Sequence, residues 1–313
     1  MKIVILGYNG LIGNSLLDNL NRIKSFNLIC VARNIDYKPF NNPRIKYHKW
    51  NFTSFKKSSL SFLKKADIVI NCAGKIDEDK KNFKFINFVF IKKFLNYLKY
   101  HKGNLRIIHL SSISVYGGHS YFLGEKKIIN ENSNILTDSV YSKYKFEADL
   151  LIKNMIYKKN NKNITFTILR VSNVFGGKKK SNLFRFSFFL IKLKLWIKSF
   201  DDVIFNFISV KDVARAVALS ISKLRISRNK IYIISDDVKQ KKLYINYLGR
   251  KNFFTVKIPI SLVKFVINFI PLPKKILNLL LTISSRVTYD NQKIIDELSF
   301  TPLYSIHKKI KKI

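Results

Sequence analysis

The chain has 313 residues, 47% of them hydrophobic, enough to bury the core of one large α/β domain or of two smaller ones. Its 58 Lys and Arg against 19 Asp and Glu give a formal charge of +39, but 47 of the cations are lysines in a chain crowded with Asn, Ile, Phe and Tyr, all residues with A- and T-rich codons. Base composition therefore accounts for the charge. With no arginine cluster, zinc-ligand spacing or ribonucleoprotein-type signature, nucleic-acid binding is set aside, while attraction to a diphosphate or to anionic lipid stays open.

Residues 2–6 form a short apolar run that stops at Gly7, far short of a signal-peptide core or a membrane span, and predict a first strand. The turn Gly7-Tyr8-Asn9-Gly10-Leu11-Ile12-Gly13 leads into a helix over 11–24, with Leu11, Ile12, Leu16, Leu17, Leu20 and Ile23 on one face. Further strands are predicted at 27–32, 45–48, 67–71, 105–111, 164–170, 203–209 and 230–234, and further helices at 79–101, 139–159, 180–198 and 211–224. This alternation argues for an α/β fold, a doubly wound parallel sheet of Rossmann type. Gly117 through Asp138 shows no period and reads as a loop that carries the chain from a strand end to the helix bearing Tyr141.

Beyond residue 235 the pattern changes. Pro259, Pro271 and Pro273 punctuate two very apolar stretches, 258–270 and 276–283, each shorter than the roughly 20 residues that cross a bilayer. They are expected to be helices of a smaller, mostly helical C-terminal substrate domain, although Lys264, Lys274 and Lys275 also suit a helix lying on a membrane surface. The division expected is a dinucleotide-binding domain over 1–175, to which 203–234 returns, and a substrate-binding domain from 176–202 and 235–313. Cys30 and Cys72 each lie in an apolar stretch, which excludes a disulfide framework and a clustered cysteine metal site and fits buried thiols in a reducing cytoplasm.

In the glycine turn, Gly7 permits the tight bend, Gly10 lets the backbone approach a pyrophosphate, and Gly13 lets the first helix pack closely, its N-terminus facing the phosphates. At the end of the second strand an acid would bind the ribose hydroxyls of NAD, whereas an arginine suits the 2′-phosphate of NADP. Ala32-Arg33 stands there and Asp36 lies beyond, so NADP(H) is favoured over NAD(H). Tyr141 and Lys145 are four apart and project from one helix face. An ammonium so placed is expected to lower the phenol from its usual value of about 10, so that it exchanges a proton with an alcohol near neutral pH.

Taken in order, these segments resemble the extended short-chain dehydrogenases/reductases, the NAD(P)-dependent nucleotide-sugar epimerases, dehydratases and reductases. The G-x-x-G-x-x-G spacing resembles their turn, and Asn71-Cys72-Ala73-Gly74 their Asn-x-Ala-Gly. Ser111-Ser112-Ile113-Ser114-Val115-Tyr116-Gly117 is similar to their Ser-Ser-x-x-Val-Tyr-Gly, and Leu169-Arg170-Val171-Ser172-Asn173-Val174-Phe175-Gly176 to Leu-Arg-x-x-Asn-x-x-Gly. Phe207 through Ala214 and the tail from Asp290 to Pro302 extend the resemblance over nearly the whole chain. It implies a catalytic set of Ser112, Tyr141 and Lys145: a tyrosine acid/base, a lysine that tunes it and binds the cofactor ribose, and a serine that holds the substrate oxygen. It further implies cofactor contacts from Gly7, Gly10, Leu11, Ile12, Gly13, Arg33, Asn51, Phe52, Cys72, Ala73 and Gly74, with Tyr141 and Lys145. Substrate contacts would come from Ser112 and Asn173, structural roles would fall to Arg170, Asp212 and the tail, and helices 79–101 and 139–159 would pair in a homodimer.

Two departures refine the expectation. The resembling dehydratases and decarboxylases carry acids where this chain has Ile113 and Ser114, so chemistry at a second carbon is disfavoured. That leaves 4-keto-sugar reduction or C4 epimerisation of a nucleotide-linked hexose, in the supply of surface polysaccharide, with Arg33 tilting toward NADPH-linked reduction. Phe205 stands near a position where many UDP-sugar enzymes of the family place an arginine, so the diphosphate clamp differs. The alternatives are a non-catalytic NADP-binding sensor or subunit, and an epimerase acting on a lipid-linked sugar at the membrane.

Overall fold

The computed structural model describes residues 1–52, 57–63, 65–76, 82–98, 101, 103–117, 126–158, 163–176, 193, 195–197, 203–239, 254–273, 277 and 286–304. Seven strands build the main sheet: β1 (Lys2–Leu6), β2 (Asn27–Ala32), β3 (Ile45–Lys49), β4 (Ile68–Asn71), β5 (Leu105–Ser112), β7 (Ile164–Val171) and β11 (Lys230–Ile234). All are parallel, in the order β11-β7-β5-β4-β1-β2-β3. The order reverses beside β1, which pairs with β2 on one side and β4 on the other, so a crevice opens above the carboxyl ends of these strands.

The central strands are apolar on both faces because helices cover both. On one face Ile3 and Ile5 meet Leu16, Leu17 and Leu20 of α1 (Leu11–Leu20) and Val213 and Val217 of α4 (Val210–Ser222). On the other, Val4 and Leu6 meet Phe90 and Phe94 of α2 (Phe90–Leu98) and Ala148 and Ile152 of α3 (Val140–Lys158). The alternation is the period of two of a strand, and each fully buried phenylalanine here contributes roughly 1.5–3 kcal/mol of transfer free energy. A short π-helical turn, Phe85–Val89, precedes α2 and turns Asn87 inward, where it is buried.

Smaller sheets lie outside this frame. Strand 203–209, expected in the main sheet, is β10 (Ile204–Ser209) and pairs instead with β8 (Asn173–Phe175) and β12 (Asp236–Lys239). The chain leaves the main sheet at Ser172, whose amide donates to Ile234 O at 3.0 Å, and continues into β8. The loop expected from 117 to 138 contains a strand, β6 (Lys127–Ile129), which pairs with β14 (Val287–Tyr289). Most of the helix expected at 180–198 lies outside the described residues, but its end, Leu195–Ile197, is a strand (β9) paired with β13 (Phe254–Val256). Of the two apolar stretches after 235, residues 276–283 lie outside the described residues except for 277. The other forms α5 (Ile260–Phe269), which buries Val263 and exposes Leu262, Phe265 and Phe269.

The tail is tied back by charge. Asp212 accepts from the amides of Leu303 (3.0 Å) and Tyr304 (2.8 Å) and from Arg215 (2.8 Å). In α6 (Gln292–Leu298), Glu297 accepts from Tyr232 at 2.5 Å and Lys230 at 3.0 Å. No described helix is long and apolar enough to cross a membrane.

Candidate active site

The crevice is floored by the glycine turn. Gly7 has φ +82°, and a Cβ on it would stand 3.1 Å from Ala73 N, so the turn after β1 lies directly against the end of β4. A Cβ on Gly13 would come within 2.7 Å of Tyr8 Cα, so only glycine lets α1 start this close to the turn. No side chain caps the N-terminus of α1 and no acid lies in its first turn, which leaves its positive end free to face an anion. Arg33 is exposed at the end of β2, and the segment beyond it crosses the turn: Tyr8 donates to Tyr37 O at 2.6 Å and Asn9 to Asn34 O at 3.0 Å.

The remaining side chains come from the ends of β4 and β5 and from α3. Ser112 ends β5 and caps the short helical turn Ile113–Tyr116, its Oγ accepting from Ser114 N at 3.2 Å. The turn closes at Gly117, φ +73°, where a Cβ would strike Leu136. Tyr141 in α3 comes close enough to Ser112 for the serine to act on its phenol. Lys145, one turn further on, is buried and donates to Leu110 O at 3.0 Å, its Nζ 5.9 Å from the centre of the Tyr141 ring. A Cβ on Gly74 would stand 3.4 Å from both Lys145 Nζ and Asn87 Oδ1. Asn87 in turn accepts from Lys75 N at 3.2 Å and donates to Lys75 O at 2.9 Å, pinning the loop after β4.

The electrostatics differ from the expectation of a lysine-acidified phenol. Burial pushes Tyr141 up to about 12, with nearby Ser112 the opposing influence. Burial also pushes Lys145 down to about 8, against the pull of Asp149 and then Cys72. Desolvation thus favours the neutral form of each side chain. The Cys72 thiol is likewise raised, to about 12.

Behind Lys145 lies a buried polar chain, of which the sequence reading singled out Arg170 and the Asn71 motif but not His109 or Asp149. Asn71 Oδ1 accepts from Ala73 N at 3.1 Å, so its Nδ2 donates to His109 Nδ1 at 3.0 Å. This places the His109 proton on Nε2, which faces Asp149 Oδ1 at 3.9 Å. Burial and then the Lys145 charge hold His109 well below its ordinary value, so it is neutral. Arg170 Nε donates to Asp149 Oδ2 at 3.2 Å, and Arg170 Nη1 to Tyr116 at 2.6 Å. Asp149 lies four residues after Lys145 on α3, a spacing that was legible; Asn87 depends on the π turn and was not.

The fold thus brings Gly7, Gly13, Cys72, Ala73, Gly74, Ser112, Tyr141 and Lys145 around one crevice. Phe52 has its ring in the core, 5.1 Å from Trp50 and 5.2 Å from Phe90, beside an exposed Asn51. Leu11 and Ile12 are half-buried, with Ile12 packed on the core. Asn173 is exposed on β8, just past the end of β7. Ile113 is buried among Val115, Tyr116, Ile129 and Val287. Among the described residues no group of three or more His, Cys, Asp or Glu could hold a metal.

A parallel sheet with a glycine turn at the reversal of strand order, and a Ser/Tyr/Lys cluster at the same edge, defines a Rossmann-type nicotinamide-dependent architecture. The chain belongs to the NAD dependent epimerase/dehydratase family, whose model matches residues 3–235. No curated protein matches it significantly. Among solved structures it is similar to UDP-glucuronic acid 4-epimerase from Bacillus cereus in complex with UDP-glucuronic acid and NAD, at 17% identity over 99% of this chain and 97% of that one, with a TM-score of 0.71. It is also similar to dTDP-glucose 4,6-dehydratase from Bacillus anthracis in complex with NAD (16% identity, 100% and 94% covered, TM-score 0.70). UDP-glucose 4-epimerase from Thermotoga maritima, bound to UDP-glucose, aligns at 16% identity over 99% and 96%, with a TM-score of 0.69.

Proposed function

We propose that this chain is an oxidoreductase that moves one hydride at a single carbinol carbon of a nucleotide-linked hexose, as a 4-keto-sugar reductase that uses NADPH. The observation that carries this reading is the convergence of Ser112, Tyr141 and Lys145 at the crevice edge, with Lys145 Nζ 5.9 Å from the centre of the Tyr141 ring. The glycine cradle and the uncapped start of α1 fit a dinucleotide pyrophosphate, and exposed Arg33 fits a ribose 2′-phosphate. When bound, the nicotinamide supplies the two-electron hydride donor or acceptor.

The side chains do the rest. Ser112 donates a hydrogen bond to the sugar carbonyl oxygen, and Tyr141 gives it a proton as hydride reaches the carbon. The Lys145 ammonium opposes the negative charge left on the phenol oxygen. A phenol near 12 is protonated at neutral pH and so begins as an acid, which suits ketone reduction. C4 epimerisation must first remove a proton from an alcohol and would need that phenol ionised. Ile113, held in an apolar cluster, cannot act on a second carbon, which argues against dehydration.

Similarity to proteins solved with UDP-glucuronic acid and UDP-glucose supports a nucleotide-linked sugar as substrate. Asn173, exposed past β7, is proposed to contact it. A role in surface polysaccharide supply is proposed on the strength of that substrate class alone. The test is to incubate the purified protein with NADPH or NADH and a panel of UDP-, GDP- and dTDP-sugars, 4-keto derivatives included. Oxidation of NADPH by a 4-keto sugar is expected. Tight NADP binding with no turnover across the panel would replace this reading with that of a non-catalytic cofactor-binding subunit.

A further inference from the structure

α5 is apolar on both sides. Val263 faces inward and is buried, whereas Leu262, Phe265 and Phe269, at i, i+3 and i+7, point to solvent on the opposite face. Phe265 is 54% and Phe269 72% exposed, with their rings 5.1 Å apart, so the exposed apolar area is continuous. Ile270 extends it at the C-terminal end, and Phe254, 73% exposed, lies on the strand that leads toward the helix. Exposed Ser261 and Asn268 flank this ridge, and a contiguous exposed apolar patch marks a contact surface.

The charge of the sequence that carries it says what covers it. From residue 238 to 289 the chain has no Asp or Glu at all, although an even spread of its 19 acids would put about three there. The same window holds Lys239, Lys241, Lys242, Arg250, Lys251, Lys257, Lys264, Lys274, Lys275 and Arg286. Codon bias explains many lysines in the chain as a whole; it does not explain why one segment is basic without exception and exposes an aromatic ridge. A buried subunit interface would deplete such lysines, whereas an interfacial helix retains them to meet lipid phosphates. At 10 residues, about 15 Å, α5 is too short to span a bilayer but long enough to lie within one leaflet surface.

We propose that the exposed face of α5 docks this protein on an anionic phospholipid surface, with Leu262, Phe265 and Phe269 entering the headgroup boundary and the basic sequence that carries the helix, exposed Lys257 included, attracted to lipid phosphates. The test is co-sedimentation of the full-length protein with vesicles of phosphatidylglycerol and phosphatidylcholine in roughly equal parts, against phosphatidylcholine alone. Binding is expected only to the anionic vesicles and is expected to weaken as salt rises. The F265S/F269S variant should lose about tenfold or more in affinity, because two aromatic anchors are gone, while its melting temperature and cofactor binding are retained. K257E/K264E should lose a comparable amount through charge. Failure of the wild type to sediment at low salt would overturn the proposal. So would undiminished binding by F265S/F269S, which would reduce the effect to bulk charge. Dissociation of a wild-type dimer by F265S/F269S in sedimentation velocity would assign the face to a second copy of the chain instead.

Discussion

Lys145→Met should stabilise the fold while removing its chemistry. Lys145 is 5% exposed, and burial takes its ammonium from an ordinary 10.5 to about 8. At about 1.4 kcal/mol per tenfold, holding that charge inside costs roughly 3 kcal/mol at neutral pH. Methionine fills a similar volume without charge, and the lost hydrogen bond to Leu110 O returns about 1 kcal/mol of the gain. The net expectation is about 2 kcal/mol of added stability at pH 7, read as a higher urea midpoint at unchanged slope or a rise of roughly 5 °C in Tm. The sign fixes the pH dependence. Because the folded-state value is depressed, the contribution of Lys145 is favourable above 10.5 and is lost as pH falls through 8. The gap between variant and wild type should therefore be full below about 8 and close toward pH 10.5. A variant less stable than wild type at pH 7, or a gap that stays constant with pH, would refute the reasoning.

Arg33→Asp should move the kcat/KM preference from NADP(H) toward NAD(H) by about tenfold or more, since it exchanges a 2′-phosphate partner for a ribose-hydroxyl acceptor; steady-state kinetics with both cofactors checks it, and an unchanged ratio would remove Arg33 from the cofactor site. Asp149→Asn leaves the buried Arg170 without its carboxylate and Lys145 without its main electrostatic support, so equilibrium denaturation should show a loss of about 3–5 kcal/mol. Gly13→Ala forces a Cβ to within 2.7 Å of the Tyr8 Cα and should cost roughly 1–3 kcal/mol and weaken cofactor binding, which calorimetry would detect.

The frame of the fold was legible where local sequence alone decides it. β1, β2 and β11 are continuous apolar runs bounded by turn residues or charge, and the structure returns them with the expected limits. β10 was read as a strand but not as a deserter from the main sheet, because its residues are buried on both sides and look like any core strand. β6 and β14, three residues each, carry no period, and their pairing joins segments about 160 residues apart. Within the site, the spacing of Tyr141 and Lys145 and the order of the serine and glycine motifs placed the cluster. The direction of the Tyr141 shift was not readable, since it turns on how deeply tertiary packing buries the phenol, and no spacing encodes that depth. Asn87 escaped for a similar reason: the π turn that swings it toward Gly74 is invisible in residue type.

Tyr141 is proposed as the proton donor to a sugar oxygen held by Ser112. Single-turnover kinetics of Tyr141→Phe, on whichever nucleotide sugar the wild type reduces, tests this most directly when paired with cofactor titration. The predicted result is a chemical step slowed about 10²–10⁴-fold with cofactor affinity within about threefold of wild type. A variant that reduces the sugar within about tenfold of the wild-type rate would contradict it, because general acid catalysis at this position is worth more than that.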